Sequence, residues 1–280
     1  MRILLTNDDG IYAPGLAAME RALRRLGEVF VVAPSREQSG VAHSITFLTP
    51  LLARKVFVND QHWGWTVDGS PADCVKLGVS TILPDRPDLI VSGMNGGLNA
   101  GINVLYSGTV GAAAEGAFYG ITSIAVSLQF EENEPFQRAA DLAVGVIKQI
   151  IEQDGLSGKL YNLNIPLQAL KEKEPAVKTV PMDTAPYWET FERRTDPMGR
   201  TYYWLSGRPD PRQPKSQGPK QMTDLTAIAQ GFITVTPLNY DVTDRQRLAA
   251  MDDWDLTPQP DNDSGNQEHT GPRVRVSWRS

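Results

Sequence analysis

The chain has 280 residues, 41% hydrophobic and 21% charged, the balance of an ordinary globular enzyme with an ample core. Its formal net charge of −6 argues against a nucleic-acid polymer bound through a basic surface, yet is compatible with a small phosphorylated ligand whose charge is met locally. Cys74 is the only cysteine, so no intramolecular disulfide is available, and its apolar helical surroundings mark a buried, inert thiol. A strand starts within two residues of the N-terminus, and no apolar run nears the ~20 residues that span a bilayer. The expected location is therefore the cytoplasm, with no membrane partner.

In chain order, Arg2–Thr6 reads as a strand and Pro14–Leu26 as an amphipathic helix with Leu16, Met19, Leu23 and Leu26 on one face, closed by Gly27. Glu28–Ala33 is a β-branched strand that stops at Pro34. Ser70-Pro71 supplies an N-cap and a first-turn proline for a helix leading into Cys74–Val79. Leu89–Ser92 is a strand, Val110–Tyr119 a helix, Ile124–Leu128 a strand, Pro135–Gln153 a long helix and Leu160–Asn164 a further strand. Strands and helices alternating at this spacing imply an α/β fold, Rossmann-like, with a mostly parallel sheet covered by helices on both faces. From residue 181 to 222 the chain turns rich in Pro, Arg and aromatics, including Tyr187, Trp188, Tyr202, Tyr203 and Trp204, and reads as an extended arm or hairpin. Phe232–Thr236 returns as a strand, and Asp244–Trp254 is a short helix. We expect one domain over residues 1–255, with core at about 1–180 and 223–243, the arm, the helix at 244–254, and a disordered tail at 256–280.

Three loops that follow strands carry the chemistry. Asn7-Asp8-Asp9-Gly10 closes the first strand, where open α/β sheets form their ligand crevices. Two adjacent carboxylates repel each other, and a divalent cation with hard oxygen ligands removes that cost, although a turn or helix cap is the competing reading. The second loop, residues 34–44, offers Ser39 beside Gly40, and His43, which either contacts a phosphate or is structural. In the third, Gly93, Gly96, Gly97, Gly101, Gly108, Gly111, Gly116 and Gly120 are 8 of the chain's 24 glycines, and no Lys or Arg occurs from Val91 to Phe130. Ending as Ser107-Gly108-Thr109 at a helix start, this loop aims N–H groups and hydroxyls at one place, which suits a phosphate. It is not a Walker loop, since no Gly-Lys-Ser/Thr follows. A phosphate there needs a cation from elsewhere, and the aspartate pair can hold one. With no Cys/His cluster, the oxygen-only donor set favours magnesium or manganese over zinc.

The runs Met1–Gly10, Val32–Gly40, Val91–Gly97 and Tyr106–Ala113 resemble the SurE family of metal-dependent 5′-nucleotidases over roughly residues 1–255, with weaker matches at Thr66–Cys74, Thr223-Asp224 and Gly231–Leu238. The resemblance implies a Rossmann-like core with a C-terminal excursion used in homodimer or homotetramer assembly. It implies one divalent metal per subunit, magnesium or manganese, held by Asp8, Asp9, Ser39 and Asn95. Phosphate contacts would fall on Asn95, Ser107, Gly108 and Thr109. The implied activity is hydrolysis of nucleoside 5′-monophosphates, extending in some members to 3′-monophosphates and short polyphosphate. Two features depart from the family: the run Gly218-Pro219-Lys220-Gln221-Met222, where the family has small residues, and a longer tail beyond Trp254.

The expected catalytic set is Asp8, Asp9 and Asn95, with Asp9 orienting or deprotonating the attacking water. One rival is a phosphatase that forms an aspartyl-phosphate, but the second carboxylate such enzymes carry two residues on would fall at Gly10. The other is a non-catalytic nucleotide-binding regulatory module on the same kind of sheet.

Overall fold

The fold is that of a computed structural model describing residues 1–131, 135–185, 189–209 and 221–258. Its strands are β1 (Arg2–Thr6), β2 (Glu28–Pro34), β3 (Ala53–Val58), β4 (Gln61–Val67), β5 (Leu89–Gly96), β6 (Thr122–Leu128), β7 (Leu160–Ile165), β8 (Val177–Thr179), β9 (Glu189–Thr195), β10 (Thr201–Pro209) and β11 (Ile233–Leu238). The helices are α1 (Pro14–Leu23), α2 (Pro71–Leu77), α3 (Gly108–Phe118), α4 (Phe136–Asp154), α5 (Asp224–Ala229) and α6 (Arg245–Ala249).

Nine strands form one sheet in the order β3-β4-β2-β1-β5-β6-β7-β11-β8, parallel except at the pairs β3–β4 and β7–β11. The first strand lies in the middle, with Leu4 opposite Phe30 on one side and Ile90 on the other. Successive strand residues point to opposite faces, so β1 divides its side chains between two cores. Ile3 and Leu5 pack with Leu16 and Met19 of α1 and Ala140 and Ile147 of α4, whereas Leu4 packs with Val75 of α2 and Ala112 of α3. Helices thus cover both faces, and β1, β2 and β5 all end at the same edge of the sheet. The thiol of Cys74 is fully buried in the second core, and burial pushes it well above its ordinary range, consistent with an inert role.

The hairpin β3–β4 and the edge strand β8 were not anticipated. Asn59 and Asp60, both at positive φ, turn the hairpin between two aromatic and β-branched runs, a tight-turn signal in plain view. The strand β8 has three residues, all exposed, and too few apolar positions to announce itself. Helix α1 ends at Leu23 rather than Leu26, because the chain tightens into a turn in which Leu26 N–H donates to Leu23 O at 2.8 Å.

The expected arm is in part an antiparallel hairpin, β9–β10, with Thr195 opposite Thr201 and the side chains of Phe191, Tyr203 and Trp204 exposed. Tyr187, Trp188, residues 210–220 and residues 259–280 lie outside the described residues, and with them most of the departures from the family pattern. The chain divides into two units, Met1–Tyr240 and Asp241–Ser280. In the second, α6 is shorter than the expected Asp244–Trp254 and is capped by Asp244, whose carboxylate accepts the Arg247 N–H at 2.8 Å. Among the described residues no helix is long and apolar enough to cross a membrane.

Candidate functional site

The run after β1 is a fixed turn. Asn7 Nδ2 donates to Gly10 O at 2.9 Å, which leaves Asp8 only 4% exposed and Asp9 half-buried. Asp8 faces the start of α3, where Thr109 donates to it twice, through its N–H at 3.1 Å and its hydroxyl at 2.6 Å. Gly108 eases this approach, because a Cβ there would sit 3.1 Å from the Asp8 Cβ and push the carboxylate-bearing turn back. Burial pushes the Asp8 carboxyl above its usual range, against the lowering effect of the Thr109 bonds, and the nearby Glu37 charge pushes the same way.

The glycine-rich loop begins inside β5. The β5–β6 register shifts between Ser92 and Asn95, a bulge that re-aims the strand end. Asn95 is half-buried and donates its amide to Gly97 O at 2.6 Å, while Gly96 N–H donates to Asp9 Oδ2 at 3.3 Å. Beneath the loop lies a buried polar network. The Asn99 N–H donates to Asn164 Oδ1 at 2.9 Å, and the Asn99 carbonyl accepts from Asn162 at 2.7 Å and Asn164 at 3.0 Å. The Gly101 N–H donates to the fully buried Asp224 at 2.8 Å, and the other Asp224 oxygen accepts the Asp183 N–H at 2.8 Å. Sequence reasoning did not find Asn99, Asn162 or Asn164, and it noted Asp224 only as part of a weak match. The available signal was two asparagines alternating in the otherwise apolar strand β7, where a buried amide must have a partner.

Loop 34–44 lies against both elements. Gln38 N–H donates to Asp8 O at 2.7 Å, and Ala42 N–H to Tyr106 O at 3.0 Å. Gly111 on α3 is needed for this contact, since a Cβ there would fall 2.6 Å from Ala42 O. Ser39 is exposed, and its hydroxyl donates to Glu37 Oε1 at 2.7 Å. His43 bonds through Nε2 to the buried Glu115 of α3 at 2.8 Å, and Lys76 reaches the other Glu115 oxygen at 3.0 Å.

The structure therefore gathers the aspartate pair, Asn95 and the start of α3 at one sheet edge, with Ser39 on the loop whose neighbour Gln38 bonds Asp8. Two expected phosphate contacts are engaged elsewhere. Thr109 directs both its N–H and its hydroxyl at Asp8, and His43 is bonded to Glu115. Ser107 caps α3, its hydroxyl oxygen accepting the Val110 N–H at 3.1 Å, which leaves the hydroxyl proton available. Among the described residues no group of three or more His, Cys, Asp or Glu could hold a metal ion. The aspartates would thus need neutral oxygens to complete a shell, and Asn95 and Ser39 carry them. Among the described residues Asp8 has no cationic partner, and a buried carboxylate so placed, beside a second carboxylate and neutral oxygens, fits a hard divalent cation.

Comparison with known proteins gives a consistent picture. Residues 3–188 match the family model described as Survival protein SurE. A protein from Rhodopirellula baltica named 5′-nucleotidase SurE is 53% identical over 260 residues, covering 92% of this chain and all of that one. One of the same name from Desulforudis audaxviator is 42% identical over 258 residues, covering 91% of this chain and 97% of that one. Among solved structures, the SurE protein from Aquifex aeolicus superposes with a TM-score of 0.73 at 38% identity, covering 90% of this chain and 98% of that one.

Proposed function

The chain belongs to the SurE family, and from that membership together with the site geometry we propose that it is a 5′-nucleotidase, a phosphomonoesterase that hydrolyses nucleoside 5′-monophosphates to nucleoside and phosphate. The observation that carries the reading is the Asp8 carboxylate, buried at a strand end against the lysine-free start of α3. A phosphate bound there and the carboxylate beside it need one shared cation.

Asp8, Asp9, Ser39 and Asn95 would hold that cation, one magnesium or manganese ion per subunit. When bound, it supplies positive charge beside the phosphoryl group and makes a water molecule more acidic. Thr109 fixes the Asp8 carboxylate through two hydrogen bonds, so that its oxygens are held in place before substrate arrives. Asp9, held by the Gly96 N–H, orients the attacking water and takes up its proton. The Ser107 hydroxyl and the Gly108 N–H at the start of α3 donate to the equatorial oxygens as their charge grows. Asn95 faces the same group from the β5 end. The reading also extends to a cytoplasmic homodimer or homotetramer, the assembly supported by the exposed aromatics of β9–β10.

Phosphate release from a panel of nucleoside 5′-monophosphates, assayed with magnesium and then manganese, tests the activity. Hydrolysis that needs the added metal supports it. Tight nucleotide binding without phosphate release would overturn it in favour of a regulatory binding module.

A further inference from the structure

We propose that the polar cavity between the carboxyl ends of β2 and β4 is the nucleoside subsite, with the Asp68 carboxylate accepting hydrogen bonds from the sugar hydroxyls. The inference rests on the phosphomonoesterase reading and specifies where the rest of its substrate lies. The cavity holds about 610 Å³, within the range of about 300–1,000 Å³ typical of small-molecule sites, and its lining includes Arg36, Gln38, Thr46, Thr49 and Asp68.

Its position follows from the sheet. Ser35 N–H donates to Val67 O at 2.9 Å, which joins the ends of β2 and β4 and sets Asp68 beside loop 34–44. Gln38 lines the cavity and is also the residue whose N–H donates to Asp8 O. Gln38 thus joins the two places, and the proposal puts the sugar of a 5′-monophosphate on this side of its phosphoryl group.

The far wall is built rather than draped. Thr46 N–H donates to both oxygens of Asp73, at 2.9 and 3.1 Å, and Ser70 Oγ donates to Ser44 O at 2.6 Å. Asp73 is only 2% exposed and also closes the capping box of α2 with Ser70, so the stretch from Ser44 to Thr46 is fixed to a helix start. Ile45 adds an apolar surface to the lining, suited to a base.

Asp68 is poised as an acceptor. The Ser35 hydroxyl and the Arg54 guanidinium hold its carboxyl below the usual range, so it is ionised at neutral pH. Arg54 donates to its two oxygens at 2.7 and 3.4 Å. A carboxylate offers about four lone-pair positions, so these partners leave room for a sugar hydroxyl. An anion at this place accepts from a diol.

The test compares kcat/KM for adenosine 5′-monophosphate, its 2′-deoxy analogue and p-nitrophenyl phosphate, with manganese, in the native chain, Asp68→Asn and Thr49→Trp. Expected is a fall of at least about tenfold in the ratio of nucleotide to p-nitrophenyl phosphate in both variants, expressed mainly in KM, and a loss of ribose-over-deoxyribose preference in Asp68→Asn. Ratios within twofold of native in both variants would overturn the subsite. A native chain that cleaves p-nitrophenyl phosphate but discriminates no nucleotide would overturn it too, while leaving the phosphatase reading standing. A native chain inactive on every phosphomonoester would instead sink the phosphatase reading itself.

Discussion

The two loops that frame Asp8 are held in different ways. The glycine-rich loop rests on side chains that water does not reach: Asn99, Asn162, Asn164 and Asp224 are each below 9% exposure. Loop 34–49 is pinned at separate points, by His43 on Glu115, by Ser44 and Thr46 on the start of α2, and by backbone bonds from Gln38 and Ala42, and beyond them it carries Phe47 at 85% and Leu48 at 91% exposure. One loop is a platform whose shape is set before ligand arrives. The other is pinned at intervals, with exposed residues beyond the pins, and it carries both Ser39 and one wall of the cavity. A phosphoryl group is the same in every substrate while the group attached to it varies, and the two modes of support match that division.

Both loops meet at Asp8, so the largest effect is expected there. Asp8→Asn should cut turnover by at least ~10² and weaken metal binding measured by calorimetry, with little change in melting temperature. Near-normal phosphatase activity in that variant would remove Asp8 from the site. Next comes the platform. Asp224→Ala leaves the N–H groups of Gly101 and Asp183 buried without their acceptor, and should lower the unfolding free energy by about 3 kcal/mol in urea titrations. A loss under about 0.5 kcal/mol would mean that the platform is not rigid in the sense described. Ser107→Ala removes the α3 cap and should cost about 1 kcal/mol by the same measurement.

The pinned loop should respond least in stability and most visibly in pH. Burial alone would raise the Glu115 carboxyl, but the bonds from His43 and Lys76 more than offset it and hold it below the usual range. A carboxyl depressed in the folded state stabilises fully above its unfolded value, and that contribution disappears as pH falls through the folded one. Glu115→Gln should therefore lower stability at neutral pH by no more than about 1 kcal/mol. The difference from the native chain should close as pH drops below the ordinary glutamate range, read as converging urea midpoints. A gap that stays constant with pH would break the assignment.

The alternation of apolar strands and helices made the parallel core legible, because fully buried strands such as β6 have few ways to be anything else. Asp8, Asp9 and Asn95 stood out as candidates for a related reason: polar residues at strand ends are out of place in a core. Less visible was the support. Asp224 lies 123 residues from Gly101, and no local pattern reports a bond of that span. Thr109 was read as facing a ligand, whereas the fold turns its hydroxyl to Asp8, 101 residues away. Local chemistry identifies which groups could serve a site, but the topology decides which of them serve each other.

The central place of β1 has a consequence for how the chain acquires its activity. The strand that bears the aspartates precedes its partners in the chain: its two neighbours begin at residues 28 and 89, and the helix start that braces Asp8 follows at residue 108. Such long closures make parallel sheets slow to assemble. During synthesis the acidic turn must wait, unbraced, for more than a third of the chain to emerge, so chemical competence arrives late and all at once.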